Sequence, residues 1–184
     1  VYFDSTKGWI NVQNAEDTET GVLPYICASG GTVTESGNCK IHTFTGPGTF
    51  TVARAATCAA DNVVSYVIVA GGGGGGRSAG GGGGAGGYRE VKSPVTPFTA
   101  SPLDGYPNAP NRVTVSATSF PVVVGSGGTG STCNANKGGA GGVSTFSTIT
   151  AAGGGGGGSD ASPTFAGDNG GSGGGARANS NSSG

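Results

Sequence analysis

Tyr66-Val67-Ile68-Val69-Ala70-Gly71-Gly72-Gly73-Gly74-Gly75-Gly76 is the stretch on which the reading of this chain turns. A β-branched segment of strand character ends abruptly on six glycines. The pattern returns in Phe146-Ser147-Thr148-Ile149-Thr150-Ala151-Ala152, which leads into Gly153-Gly154-Gly155-Gly156-Gly157-Gly158. Between the two lie the run 80–84, Gly86-Gly87 and shorter groups. A glycine run is ordinarily a flexible linker, because glycine loses the most backbone freedom on folding. With 42 glycines and 9 prolines in 184 residues, low-complexity disorder is the default for such a composition. The placement argues otherwise. These runs follow strand-like segments directly and recur after similar lead-ins, so they belong inside a fold. An ordered run needs a reason to exclude side chains, and close packing of backbone on backbone supplies it. Polyproline-II-like chains have three residues per turn and no internal hydrogen bonds. Several lying side by side can satisfy their N–H and C=O groups on one another, and six residues would span roughly 19 Å.

The remaining composition agrees with a fold of that kind. Hydrophobic residues are 34%, aromatic residues 7% and charged residues 10%, too little apolar material for a large side-chain core. Net charge is −1, which gives no electrostatic support for nucleic-acid or membrane binding. The longest apolar stretch, 63–70, is interrupted by Ser65 and is far too short to span a bilayer. The chain has no methionine and opens on Val1-Tyr2-Phe3-Asp4, which suggests a piece of a longer polypeptide. Residues 1–29 are expected to form an N-terminal attachment segment, with Trp9 as a packing anchor, and residues 30–184 a glycine-rich β domain.

No stretch carries sustained helical periodicity. The expected fold is mainly β: antiparallel sheet or sandwich, packed polyglycine segments and long loops. Tyr25-Ile26-Cys27-Ala28 and Gly30-Gly31-Thr32-Val33-Thr34 precede the turn signal Glu35-Ser36-Gly37-Asn38. In Lys40-Ile41-His42-Thr43-Phe44-Thr45 and Thr49-Phe50-Thr51-Val52, Ile41, Phe44, Phe50 and Val52 sit among threonines, as a half-buried antiparallel sheet requires. Residues 63–70, 87–92, 112–116 and 121–124 complete the strands.

Chemistry is sparse. Four cysteines and one histidine match no zinc spacing, so neither a metal nor a cofactor is expected. Cys27 and Cys39 flank the first hairpin; they either form a disulfide across it or remain two half-buried thiols. His42 has no partner acid or nucleophile nearby and reads as a strand histidine. The glycine runs lack the Gly-Lys-Ser/Thr of a phosphate loop, and no nucleophile elbow is present. The chain is expected not to be an enzyme. Four excursions interrupt the glycine blocks: Arg77-Ser78-Ala79, the proline-rich loop 93–111, residues 132–137 and residues 159–168. Long aperiodic loops on a rigid frame are where binding residues concentrate. The candidates there are Arg77, Phe98, Asp104, Tyr106, Asn108, Asn134, Asn136 and Lys137; the aromatic and amide groups among them suit carbohydrate recognition, or else these loops only cap and solubilise the fold.

The string Cys39-Lys40-Ile41-His42-Thr43-Phe44-Thr45-Gly46-Pro47-Gly48-Thr49-Phe50-Thr51-Val52 is followed by Tyr66-Val67-Ile68-Val69-Ala70 and polyglycine. Gly86-Gly87-Tyr88-Arg89-Glu90, Pro121-Val122-Val123-Val124-Gly125 and Ser144-Thr145-Phe146-Ser147-Thr148-Ile149-Thr150 come after it. Together they resemble the glycine-rich domain of bacteriophage tail-fibre and related virion proteins, especially those of marine cyanophages. The resemblance implies a virion structural protein, a tail fibre or spike on the tail or capsid surface, extracellular and without cofactor. Its implied partners are two further copies in a trimer or other virion subunits, and a host glycan or outer-membrane receptor met by the loops. Loop 93–111 and the cysteines lie outside the resemblance, so it implies no receptor identity. Two alternatives stand beside it: a purely architectural decoration protein, and a secreted surface- or ice-binding protein on the same glycine helices. The last would need a flat face of regularly spaced threonines, which the sequence does not show.

Overall fold

The computed structural model describes residues 25–96, 98–133, 135–160 and 163–178. Most of the expected attachment segment, including Trp9, therefore lies outside the described residues, as does Asn134.

The fold is mainly β and all strand pairs are antiparallel. Strands β1 (Cys27–Ser29), β4 (Gly48–Arg54), β9 (Ser119–Val123), β10 (Ser144–Phe146) and β11 (Ile149–Ala151) form one sheet in the order β1-β4-β9-β10-β11. Three two-stranded pairs accompany it: β2 (Thr32–Ser36) with β3 (Cys39–Thr43), β5 (Val63–Val64) with β8 (Val113–Thr114), and β6 (Tyr66–Val69) with β7 (Tyr88–Val91). Two 3-10 turns, Ala59–Asn62 and Ala109–Asn111, are the helical pieces among the described residues. The core joins these sheets: Phe50 and Val52 from β4, Ile68 and Ala70 from β6 and its end, Val113 and Val115, and Ile149 and Ala151. Phe50, Phe120 and Phe146 form a ring cluster with centroids 5.9–6.4 Å apart, and Tyr66 meets Phe146 edge-on at 6.1 Å. His42 is a strand residue: its Nδ1 donates to the Gly30 carbonyl at 2.8 Å and its ring meets Phe50 edge-on at 5.0 Å.

Several local expectations are corrected. The segment 63–70 is not one strand. The Ser65 hydroxyl accepts from Ser93 N at 2.9 Å and bonds Thr96 Oγ1 at 2.7 Å, so pairing switches from β8 to β7 at that residue. The lead-in to the second six-glycine run is a hairpin, with Ser147 in the left-handed region (φ 54°) between β10 and β11. The two threonine-rich strands part company, β3 pairing with β2 and β4 with β1 and β9. Phe50 and Val52 are accordingly buried, whereas Ile41 remains 46% exposed. Cys27 and Cys39 are not joined; all four cysteines are free. Cys39 closes the hairpin opposite Ser36, whereas Cys27 lies beyond its open end, paired with Arg54. Five residue pairs separate the two ends, about 13 Å at strand rise, far outside disulfide reach.

The glycine runs form a bundle of six extended segments: I (71–76), II (80–87), III (125–131), IV (138–143), V (153–158) and VI (170–178). Segments I to IV are two return pairs, out from β6 and back to β7, out from β9 and back to β10. Segment V leaves β11 and is buried along its whole length. Its hydrogen bonds change neighbour with each residue and repeat every three. Gly154 and Gly157 donate to Gly71 and Gly74 of segment I, while Gly155 and Gly158 donate to Ser172 and Gly175 of segment VI. Its carbonyls accept from Gly138 and Gly141 of IV and from Gly81 and Gly84 of II, all at 2.8–3.0 Å. A threefold repeat of lateral bonds is what polyproline-II geometry dictates.

Among the described glycines only Gly30, Gly31 and Gly37 have positive φ, so the bundle glycines are not there for left-handed backbone. They are there because nothing else fits. A Cβ on any residue of segment V would fall 1.8–2.1 Å from a neighbouring carbonyl oxygen. Where a segment does face outward, side chains appear: Ala85, Ser126, Thr129, Ala140 and Val143 are all exposed.

Candidate functional site

The bundle has two ends. One is rooted in the sheets; the other carries the returns between segments, about 19 Å away for six residues. Three of the four excursions meet at that far tip. Arg77 donates through its guanidinium Nη1 to the Thr132 carbonyl and through its backbone N–H to Ser159 Oγ at 3.1 Å. The tip is thereby tied across the turns I–II, III–IV and the one after V. Ser78 supplies the left-handed residue of the first of these (φ 63°). Lys137 pairs with Asp168 at 2.6 Å and Arg177 with Asp160 at 2.9 Å, and the Arg177 guanidinium lies 4.7 Å from the Phe165 ring. Asn136 is exposed, its carbonyl accepting from Ser131 Oγ at 2.6 Å.

Loop 93–111 is elsewhere. It joins β7 to β8 at the sheet end and folds back along β7, so Phe98, Asp104, Tyr106 and Asn108 do not share a surface with Arg77, Asn136 and Lys137. Asp104 and Tyr106 hold the loop in place. Asp104 Oδ1 accepts from the backbone N–H of Lys92 and Tyr106 at 2.9 and 3.0 Å. Arg112 donates Nε to the Tyr106 carbonyl at 2.7 Å and lies 4.2 Å from the Tyr106 ring centre. Phe98 and Asn108 are exposed, with Lys92 Nζ 5.6 Å from the Phe98 ring.

The loop closes one side of a cleft of about 210 Å³ against the β6–β7 hairpin, lined by Tyr66, Tyr88, Arg89, Glu90, Leu103 and Asn111. Glu90 is 8% exposed. Its Oε2 accepts from the Ser101 hydroxyl and from the Tyr88 phenol, the latter at 2.8 Å. These bonds, Ser101 first, hold the Glu90 carboxyl below its ordinary range, and the same bond raises Tyr88 above its own. Burial, the leading cause, pushes the Tyr66 phenol up; its hydroxyl donates to the Asn111 carbonyl at 2.6 Å. Sequence reasoning read Tyr88-Arg89-Glu90 only as strand. The signal available there was a carboxylate on a strand whose other polar residues face solvent.

Neither end, among the described residues, assembles a nucleophile with a general base. Among the described residues no group of three or more His, Cys, Asp or Glu is placed to hold a metal ion, and no helix is long and apolar enough to cross a membrane. What both ends offer is hydrogen-bonding and aromatic surface on a stiff support.

A family model described as a glycine-rich domain matches residues 43–184, more than three quarters of the chain. The chain belongs to the glycine-rich domain family. No curated protein and no solved structure gives a significant match. The match opens at Thr43, the last residue of β3, so all six segments of this glycine-rich domain fall inside it. The strand β1 pairs with β4 from outside the matched range.

Proposed function

We propose that this glycine-rich domain is part of a bacteriophage virion structural protein, a tail fibre or spike, that contacts the host surface through the tip of its bundle. The observation that carries the reading is that Arg77, of excursion 77–79, bonds both Thr132 of excursion 132–137 and Ser159 of excursion 159–168 at the end of the bundle farthest from the sheets. A rod that carries Arg77, Asn136, Lys137 and Asp160 at the end away from its sheets suits contact at a distance. The string from Cys39 to Val52 with its polyglycine sequel supplies the virion context. Loop 93–111, at the root, is left out of this contact.

The test is adsorption. Phage carrying Arg77→Ala, Asn136→Ala and Lys137→Ala together should adsorb to host cells about tenfold more slowly, and the purified parent domain should compete with adsorption. Unchanged adsorption with full incorporation of the variant would remove the tip from the contact. A second reading, in which the domain is an architectural piece, draws on Val67 and Val69, which leave β6 60% and 58% exposed. It predicts that these valines become protected from solvent in the assembled particle while the tip variants adsorb normally.

A further inference from the structure

We propose that Asn169-Gly170, the turn that leads into segment VI, is a self-modification site: the chain converts its own asparagine to aspartate and isoaspartate there, and the isoaspartyl product loosens the start of that segment. Asn169 is the one asparagine followed by glycine; every other is followed by a residue that carries a Cβ. Both residues are exposed, and neither takes part in a hydrogen bond among the described residues. Their neighbours are anchored. Asp168 N donates to the Gly156 carbonyl and Gly171 N to the Gly153 carbonyl, both at 2.8 Å. The peptide between 169 and 170 is thus a free span between two fixed points on segment V.

The chemistry follows from that freedom. Once hydroxide has taken its proton, the Gly170 nitrogen attacks the Asn169 side-chain amide carbon. A C–N bond forms, the bond to the amide nitrogen breaks, and that nitrogen takes a proton from water and leaves as ammonia. A five-membered succinimide ring results. Water then opens the ring at either carbonyl, giving aspartate or, with the main chain rerouted through the side chain, isoaspartate. Nothing is oxidised or reduced. A side chain on the attacking residue would crowd the ring, and glycine has none. The fold itself imposes that glycine: a Cβ at residue 170 would fall 2.2 Å from Gly155 N and 2.6 Å from the Gly153 carbonyl oxygen. Packing on segment V therefore fixes the nucleophile, whereas no hydrogen bond calls for asparagine at 169.

Asp104-Gly105, the only Asp-Gly pair of the sequence, is the opposite case. Gly105 N donates to the Glu90 carbonyl at 2.9 Å, and Asp104 Oδ1 accepts from the backbone N–H of Lys92 and Tyr106. Nucleophile and electrophile are both held, so ring closure at 104 requires the loop to open first. At 169 no such opening is needed. Isoaspartate adds one carbon to the main chain between the two anchors, so a bond to segment V has to give.

The experiment is incubation of the purified chain at pH 6 and pH 8, then peptide mapping with electron-transfer fragmentation, which tells isoaspartate from aspartate. The mass gain of amide-to-acid exchange should appear first at Asn169 among the described asparagines, and faster at pH 8. Its rate should lie within about tenfold of that in the urea-unfolded chain, a barrier difference of no more than about 1.4 kcal/mol. Asp104 should convert in urea and stay intact in the folded chain over the same period. Asn169→Ser, which loses no hydrogen bond, should remove the modification. In the isoaspartyl product the amides of Asp168 and Gly171 should lose protection from exchange. A folded-state rate at Asn169 suppressed more than tenfold, conversion of Asp104 as fast as Asn169 in the folded chain, or full protection of both anchor amides in the product would overturn the proposal. The peptide map of the parent chain decides the matter even where the variant does not fold.

Discussion

The Cβ that an alanine would carry at Gly156 falls 1.8 Å from the carbonyl oxygen of Gly138. Backbone cannot yield there as a flexible side chain would, because the Gly138 N–H is itself bonded to Gly157 at 2.8 Å. Gly156→Ala should therefore destabilise the domain by more than about 3 kcal/mol, the upper part of the range for overpacking. At Gly82 a Cβ meets nothing within 4 Å. Gly82→Ala restricts only the unfolded chain and should stabilise by about 0.4–1 kcal/mol. Denaturant titration of the two variants separates them; equal effects would mean that the lateral packing is not as described.

Ser147 occupies left-handed backbone in the β10–β11 turn. A non-glycine residue there costs about 1–2 kcal/mol, part of which glycine gives back as unfolded-chain entropy. Ser147→Gly should raise stability by about 0.5–1 kcal/mol. A thermal melt with no gain or a loss would show that the serine hydroxyl holds the turn.

Glu90 sets an acid limit for the root cleft. Its folded pKa is depressed below the ordinary value near 4.5. The stability it contributes is therefore complete above that value and is lost as pH falls through the lower, folded pKa. Protection of the amides in loop 101–105, taken relative to the intrinsic exchange rate at each pH, should fall over that acid window in the parent, and Glu90→Gln should remove that fall. Tyr88 carries the opposite sign. Its raised pKa means that its contribution is complete below about 10 and declines above it as pH rises through the folded value.

All four thiols should react with a chromogenic disulfide reagent without prior reduction. Cys27, Cys58 and Cys133 are exposed and should react fast, with Cys39 slower behind them. A titre of two would restore the Cys27–Cys39 bridge.

The bundle was legible from the sequence because its requirement is uniform. Every residue of segment V needs the same absent side chain, so the run itself is the signal. The strand lead-in to segment I was readable for a related reason, since alternation of burial along β6 is local. Less could be read where a single polar side chain redirects the chain. Ser65 breaks one apolar stretch into two strands through partners 28 and 31 residues away, and Ser147 turns an apparent strand into a hairpin. The candidate residues fall at two different ends of the bundle, a division the sequence does not show. Nothing in the spacing of Arg77 and Tyr106 says that one rides the tip and the other anchors the root; the return of segment II to β7 decides it. Glu90 was missed because its partner Ser101 lies 11 residues on, across a loop with no periodicity.

Segment V is sheathed in peptide groups instead of hydrocarbon, and this has a thermal consequence. Exposing apolar surface raises the heat capacity of unfolding, at about +0.45 cal/K/mol/Å², whereas exposing polar surface lowers it, at about −0.26. A domain whose interior is largely amide should unfold with a heat-capacity increment clearly below the usual ~12–15 cal/mol/K per residue. Its stability curve is then shallow, losing little on cooling and little on moderate warming. Scanning calorimetry measures that increment directly. A rod of this construction keeps its stiffness over a range of temperatures in which an oil-cored domain of the same size would soften at either end.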